Sequence, residues 1–462
     1  MIIKNGKLVL ASGIRQADLL IEDGKIAGIG KFDASARGEE KIDASGMLVF
    51  AGFVDAHVHL RDPEDVRKED FSTGTAAALA GGFTSIIDMP NYRNPATTTA
   101  AALEEKREIA NRKARCNYSF HFGASENNFG EVRIANPASL KIFLSDTKSE
   151  LWVKSNISLR RHLTEFAHEK PVLVHAEDAG TIEKEKERGI SASLVGIKRA
   201  GEIAARIGRK VHFCHLSSGQ EVALARRFAE QTPIEQSEAL RKLQATEQTQ
   251  TSARVVGGAH STACSRFAKA AAEGCSSNSI TCEAAPHHLF LNERDAKKNP
   301  LAGMNPPLRS VPQMNGLWEI LDKIDIIATD HAPHTLEDKK NGAAGVPGLE
   351  TAVALMLDAA SRKKISYLRI AQMMCENPCE IFGMQKRGKL EKEYFGDVTI
   401  VDPKEEWKVD ASSFYTKCGW SPFEGRKLKG KVKFTIVNGK IAYEEEKVLA
   451  LEGSGKEVKR VY

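Results

Sequence analysis

Two histidines stand two positions apart at the end of an apolar run. His57 and His59 lie in the stretch VDAHVHLRDP, and they share one face if this stretch forms a β-strand. Two imidazoles on one face can bind the same ion, and imidazole suits zinc and similar first-row metals. The pair alone is a weak indication, because neighbouring histidines also occur as hydrogen-bonded core residues.

Polar or titratable side chains also follow other short apolar runs. In chain order, the residues at the run ends are His57, His59, Asp88, Asn91, His121, Lys141, His175, Cys214, His215, Glu283 and Asp330. Histidines combined with a carboxylate such as Asp330 can hold a metal and leave one position open for water. Two ions about 3.5–4 Å apart would also need a bridging anion. An ammonium group only donates hydrogen bonds, but Lys141 could bridge if carbon dioxide converted its amine to a carbamate.

Several other histidines are expected to have structural roles. His121 follows the third run, and we expect it to pack or to support a ligand. No strand-end context surrounds His162, His168, His212 or His260. The ordered occurrence of the remaining set on successive runs is what favours a metal site.

Eight apolar runs alternate with helix-like segments in the middle of the chain. They cover residues 48–59, 83–91, 117–122, 139–144, 171–177, 211–218, 279–288 and 324–334. Apolar strands that alternate with helices are typical of a parallel sheet covered on both faces, and eight such units predict a (β/α)8 barrel. The carboxyl ends of barrel strands converge on one mouth, which would bring the polar residues together.

The two ends of the chain have a different pattern. Hairpin-like strands with Asn-Gly and Asp-Gly turns occur at the start, and similar strands occur in FGDVTIVDP and KFTIVNGKIAYE near the end. We therefore predict a small β-sandwich domain formed by residues 1–50 and 385–462, with the barrel at 51–384. Within the barrel, residues 231–278 are rich in Ser, Thr, Gln and Ala, which predicts a mobile insertion and not a catalytic element.

Composition argues against several classes of function. The 66 basic and 61 acidic residues are spread evenly, so the net charge of +5 does not favour nucleic acid or a membrane surface. No apolar run approaches the roughly 18–20 residues of a membrane span, and the charged N-terminus is unlike a signal peptide. A cytoplasmic location is the simplest expectation. The eight cysteines contain no CxxC pair, which favours reduced thiols.

The ordered motifs resemble those of the dihydroorotases in the amidohydrolase superfamily. They are DAHVHLRDP, DMPN, LKIFLSDT, VLVHAED, CHLSS, CEAAPHHL, MNPPLR and ATDHAPH, and they extend from about Gly52 to Gly348. The lysine in LKIFLSDT resembles the lysine-bearing, type I form found in the animal multifunctional pyrimidine enzyme. The resemblance implies zinc-dependent, reversible cyclisation of N-carbamoyl-L-aspartate to L-dihydroorotate in pyrimidine biosynthesis.

The resemblance also implies roles for individual residues. It implies two zinc ions bridged by carboxylated Lys141, one on His57, His59 and Asp330 and the other on His175 and His215. Asp330 would also carry the proton. The substrate-binding residues implied are Arg61, Asn91, Asn305, His334, Thr147, Pro347 and Gly348. Cys214 and Glu283 fall where the animal domain binds a third zinc, with a buried thiol and an ordinary carboxylate as the alternatives. The partners implied are a second copy of the chain and an aspartate carbamoyltransferase.

Two departures and two alternatives accompany this resemblance. Glu64 and Tyr92 replace a glycine and a threonine that are common in the family, and both lie beside implied substrate contacts. The first alternative is a hydantoinase or allantoinase, against which Arg61 and His334 argue, because a ring without a carboxylate would leave an arginine unpaired. The second is a non-catalytic relative, against which the full ligand set argues.

Overall fold

Strands and helices alternate through the middle of the chain and strands predominate at its two ends. The computed structural model describes residues 1–32, 40–90, 96–146, 150–230 and 280–462. The strands are β1 (Ile2–Leu10), β2 (Gly13–Glu22), β3 (Lys25–Gly30), β4 (Lys41–Asp43), β5 (Leu48–Ala51), β6 (Phe53–Val58), β7 (Phe83–Asp88), β8 (Asn117–Phe120), β9 (Phe122–Gly123), β10 (Leu140–Phe143), β11 (Val172–His175), β12 (Val211–Phe213), β13 (Ile280–Ala284), β14 (Ile326–Ile327), β15 (Val398–Lys408), β16 (Lys427–Val437), β17 (Lys440–Glu444) and β18 (Lys447–Val448).

The helices follow the strands of the middle region and cover them. They are α1 (Phe71–Ala80), α2 (Ala100–Lys113), α3 (Phe129–Ala135), α4 (Asn156–Glu165), α5 (Ala179–Glu185), α6 (Ile190–Ile207), α7 (Gly219–Ala229), α8 (Pro286–Phe290), α9 (Glu293–Lys298), α10 (Val311–Glu319), α11 (Leu336–Lys340), α12 (Leu349–Ser361), α13 (Tyr367–Ala371) and α14 (Asn377–Ile381). A π-helical turn at Gln372–Glu376 joins the last two. Among the described residues, no helix combines the length and the apolarity needed to cross a bilayer.

The strands from β6 to β14 form the predicted barrel. All their pairings are parallel, from β6 through β7 to β8 and from β9 through β10, β11, β12 and β13 to β14. Only His121 separates β8 from β9, so the two act as one strand. The seam closes where Val58 pairs in parallel with His331, and the His59 amide donates to the His331 carbonyl at 2.8 Å. The (β/α)8 prediction is therefore confirmed.

The strands at the two ends combine in one nine-stranded sheet. Its order is β18-β17-β16-β15-β5-β1-β2-β3, and β4 pairs with β1. The central contact joins β5, from the start of the chain, to β15, from near its end, in antiparallel register. Strands from both ends thus share one sheet, as the sequence predicted. The domain boundaries at residues 50 and 385 stay a prediction, and the proposed insertion lies outside the described residues.

Helix α6 packs against the barrel next to a predicted metal ligand. Its buried residues include Gly196 and Ala200, and the helix ends at Gly208 in a left-handed conformation. A Cβ atom at Gly196 would lie 2.1 Å from the carbonyl oxygen of Ala176, the residue after His175. Glycine is required here because the contact is with backbone, which cannot rotate away.

Substituting Gly196 tests this packing. We expect Gly196→Ala to lower the free energy of unfolding by about 1–3 kcal/mol, the usual cost of overpacking a close contact. Chemical denaturation followed by circular dichroism measures the change. The control is Gly130→Ala in α3, where no atom lies within 4 Å of the new methyl group. That variant should be neutral or slightly stabilising, and equal losses in both would contradict the packing argument.

Candidate active site

The carboxyl ends of the barrel strands surround a cavity of about 810 Å³. Among the residues that line it are His57, His59, Arg61, His175, His215, Asn305, Asp330 and His334. They belong to β6 and the residues after it, to β11, to the turn after β12, to the segment after β14 and, for Asn305, to the segment between α9 and α10. The structure thus brings together most of the residues that the sequence placed at one mouth.

Asp330 lies between the two histidines of the opening motif. Its Oδ1 is 3.3 Å from His57 Nε2 and 3.1 Å from His59 Nε2. Burial raises the pKa of Asp330, and burial lowers the pKa of His57. Two ring nitrogens and a carboxylate oxygen therefore point to one place, which is a suitable donor set for a first-row metal ion.

A second pair of nitrogens converges beside the first group. His175 Nδ1 and His215 Nε2 are 2.9 Å apart, and burial lowers the pKa of both rings. Glu177 Oε2 lies 2.9 Å from the other nitrogen of His175, so that carboxylate accepts the ring proton. The lone pair of His175 Nδ1 is then directed toward His215. A carboxylate that fixes the tautomer of a histidine is a usual partner of metal ligands.

Lys141, Cys214 and Glu283 are buried residues next to these histidines. Lys141 is fully buried, and its Nζ donates to Cys214 Sγ at 3.0 Å. Glu283 Oε1 is 2.8 Å from His57 Nδ1 and accepts the His215 amide at 2.9 Å. Like Glu177, this carboxylate orients a ligand ring. Within the part of the chain that the structure describes, two sets have donor atoms within 4.8 Å of one another, namely His57, His215 and Asp330, and His57, Cys214 and Glu283. The third metal position stays a prediction.

The substrate-binding residues that were predicted divide into three groups. Arg61, Asn305 and His334 line the cavity, as does Glu64, the first departure from the family pattern. Asn91 and Thr147 lie outside the described residues, as does Tyr92. Pro347 and Gly348 are not among the lining residues, and the Gly348 amide donates to His331 Nδ1 at 3.1 Å.

Arg61 and His334 lie side by side at the cavity. Arg61 Nη2 is 3.3 Å from His334 Nε2, which is also 3.0 Å from the carbonyl oxygen of Ala344. Burial and the charge of Arg61 lower the pKa of His334 to about 2, so the imidazole is neutral. The pair thus presents one permanent positive charge and one neutral ring to the cavity.

Two side chains that support the site were not predicted from the sequence. Glu177 stands two residues after His175, so the spacing argument used for His57 and His59 could have identified it. His212 was expected to have no special context, but its Nε2 lies 3.2 Å from Glu283 Oε2 and its Nδ1 2.8 Å from Thr281 Oγ1. The sequence indicates the role of His212 less clearly, because its contact with Glu283 depends on the pairing of β12 with β13. His121 packs as expected, against Ser139 and Phe382.

The sequence profile of the Amidohydrolase family matches residues 48–442. The chain belongs to the amidohydrolase family. This amidohydrolase is 35% identical to the dihydroorotase of Thermococcus kodakarensis, over 97% of its own length and 96% of that protein. It is 33% identical to the dihydroorotase of Pyrococcus furiosus, over 99% of its own length and 96% of the relative.

Two further comparisons extend the likeness. The multifunctional protein CAD of Squalus acanthias is 32% identical over 91% of this amidohydrolase, and the match covers 16% of the CAD chain. Among solved structures, an L-hydantoinase (dihydropyrimidinase) from Arthrobacter aurescens superposes with a TM-score of 0.82 at 28% identity, over 99% of both chains. The dihydroorotase resemblance read from the motifs is thus confirmed over nearly the whole chain.

The Glu177–His175 contact can be tested by metal binding. We expect Glu177→Gln to weaken zinc affinity by about 10- to 100-fold, because the neutral amide orients the imidazole less strongly than a carboxylate does. Competition with a chromophoric chelator measures the affinity. Glu183→Gln, an exposed change on α5, is the control and should leave it unchanged. Wild-type affinity in Glu177→Gln would contradict this role.

Proposed function

We propose that this amidohydrolase is a dihydroorotase, a cyclic amide hydrolase that interconverts N-carbamoyl-L-aspartate and L-dihydroorotate plus water. The relatives named dihydroorotase, 31–35% identical over most of the chain, support the assignment. The structural observation that most directly supports the assignment is the position of Arg61 and His334 at the cavity that Asp330 also lines.

The donor groups of the site fit a pair of zinc ions. His57, His59 and Asp330 would hold one ion and His175 and His215 the other. Lys141 would lie between them as a carbamate, formed when its neutral amine attacks carbon dioxide and releases a proton. Bound zinc would supply Lewis-acid polarisation of the amide carbonyl and a lowered pKa for water. The third position, at Cys214 and Glu283, belongs to the same proposal.

Asp330 is proposed to move the proton. Its carboxylate is buried, borders both the histidine pair and the cavity, and has a raised pKa. In ring opening it would accept a proton from the attacking water and deliver it to the departing ring nitrogen, which leaves as part of the carbamoyl group. Ring closure uses the reverse sequence.

Arg61 is proposed to recognise the substrate's carboxylate. A guanidinium group matches a carboxylate with two parallel hydrogen bonds, and His334, beside it at the cavity, stays a predicted contact of the substrate. Asn305 lines the same cavity, and Asn91, Thr147, Pro347 and Gly348 stay predicted contacts. A ring without a carboxylate could not make this charged contact with Arg61, which disfavours hydantoin and allantoin as substrates.

We also propose two macromolecular partners for this amidohydrolase. One is a second copy of the chain, in a homodimer. Association with an aspartate carbamoyltransferase is proposed by the same resemblance, and the CAD match agrees with a segment of this kind functioning within a larger chain. A cytoplasmic location stays a prediction.

Ring opening by the zinc-loaded protein tests the function. We expect turnover of L-dihydroorotate and little or none of hydantoin and allantoin, followed by the loss of ring-amide absorbance. Activity on hydantoin alone would overturn the assignment in favour of a hydantoinase. A protein that binds no zinc and opens none of the rings would instead be a non-catalytic relative.

The carboxylate contact has a separate prediction. We expect Arg61→Met to lower kcat/KM for L-dihydroorotate by about 10- to 100-fold, mainly through KM, the scale of a lost charged hydrogen bond. Zinc content should not change. Arg67→Met is the matched control, because Arg67 also lines the cavity but is largely exposed. Equal losses in the two variants would show that general charge at the cavity, not Arg61, attracts the substrate.

A further inference from the structure

Arg61 has an unusual backbone that neighbouring groups must hold in place. Its φ is 61°, in the left-handed region that residues with a Cβ rarely adopt. On one side, the amide of Leu60 donates to Asp88 Oδ1 at 2.9 Å. On the other side, Asp62 Oδ2 accepts the amide of Phe71 at 3.2 Å. Such a conformation persists when the surrounding structure over-determines it.

Both carboxylates are bound by lysines of a single helix. Lys106 Nζ lies 2.6 Å from Asp88 Oδ2, and Lys113 Nζ lies 2.8 Å from Asp62 Oδ2. The two lysines are seven positions apart in α2, so they project from the same face, two turns apart. One helix therefore contacts the chain on both sides of Arg61.

Both carboxylates are buried, and so is one of the two lysines that bind them. The side chains of Lys106 and Asp88 are 1% and 0% exposed, and Asp62 is 2% exposed beside the partly exposed Lys113. Removing one partner of a buried ion pair leaves an uncompensated charge, so the carboxylate must move or take up a proton. Lys106 Nζ also donates to the Met89 carbonyl at 2.9 Å, which fixes the end of β7.

We propose that Lys106 and Lys113 are positioning residues for substrate binding. Through Asp88 and Asp62 they hold the backbone on both sides of Arg61, which keeps the guanidinium at the cavity for the substrate's carboxylate. This inference rests on the proposed function, and it adds α2, a helix with no residue lining the cavity, to the parts of the molecule that determine specificity.

The metal ligands have their own supports, so the effect on Arg61 can be separated from them. The His59 amide is bound by the carbonyl of His331 across the barrel seam, and the His57 ring is bound by Glu283. Neither contact involves α2. Loosening Arg61 should therefore affect KM for the carboxylate-bearing substrate, while zinc content and kcat stay close to those of the parent.

The test uses Lys106→Met and Lys113→Met in the zinc-loaded protein, each alone and combined with Arg61→Met. We expect each single change to raise KM for L-dihydroorotate by about tenfold, the scale of a weakened charged hydrogen bond. In the Arg61→Met background, the same changes should have almost no further effect on kcat/KM, because they act through that arginine. Arg112→Met, an exposed cation in the same turn of α2, is the control and should match the parent.

Several results would overturn the proposal. If the lysine changes lower kcat/KM as much in the Arg61→Met background as in the parent, the lysines do not act through Arg61. Loss of bound zinc, or a fall in kcat without a rise in KM, would show a general effect on the structure. If Lys106→Met does not fold, the outcome for Lys113→Met is decisive, because that lysine is 34% exposed. If the parent protein does not open the ring of L-dihydroorotate, the proposed function itself is wrong. If the parent opens the ring and Arg61→Met has a raised KM, but both lysine variants have the KM of the parent, only the role of the two lysines is refuted.

Discussion

The seam that closes the barrel is the contact on which the rest of the site depends. It joins the first barrel strand to the segment after the last one, through the Val58–His331 pairing and the His59 amide. His57 and His59 lie on one side of this seam and Asp330 on the other, 271 residues from His59. Without closure, the carboxylate and the imidazoles could not approach within hydrogen-bond distance. The strand order then brings β10, β11 and β12 alongside and adds Lys141, His175 and His215.

Carboxylates behind the histidines determine how the rings are presented. Glu283 contacts His57 and Glu177 contacts His175, so in each ring one nitrogen faces a buried carboxylate and the other faces the convergent donors. A carboxylate in a low-dielectric interior is stable only with such partners, and an imidazole so paired has one defined tautomer. These paired groups make a stronger argument for a metal centre than the individual histidines do.

The sequence predicted the barrel and most of the site because both depend on short-range patterns. Apolar runs followed by polar residues indicated where the strands end. The geometry of a barrel then implied that His57, Lys141, His175, His215 and Asp330 lie close together. Contacts that depend on tertiary register were not predictable. Lys106 and Lys113 have no local feature that distinguishes them from other charged helix residues, because nothing in the nearby sequence shows that Asp88 and Asp62 lie opposite them. His212 reaches Glu283 only because β12 and β13 are neighbours.

Anomalous diffraction from crystals of the zinc-loaded protein can show whether these side chains hold two metal ions. We expect two zinc peaks about 3.5–4 Å apart, one bonded to His57, His59 and Asp330 and the other to His175 and His215. Electron density should extend from Lys141 Nζ to both. A single zinc held by His57, Cys214 and Glu283, or zinc bound outside this cavity, would rule out a two-zinc centre at these residues.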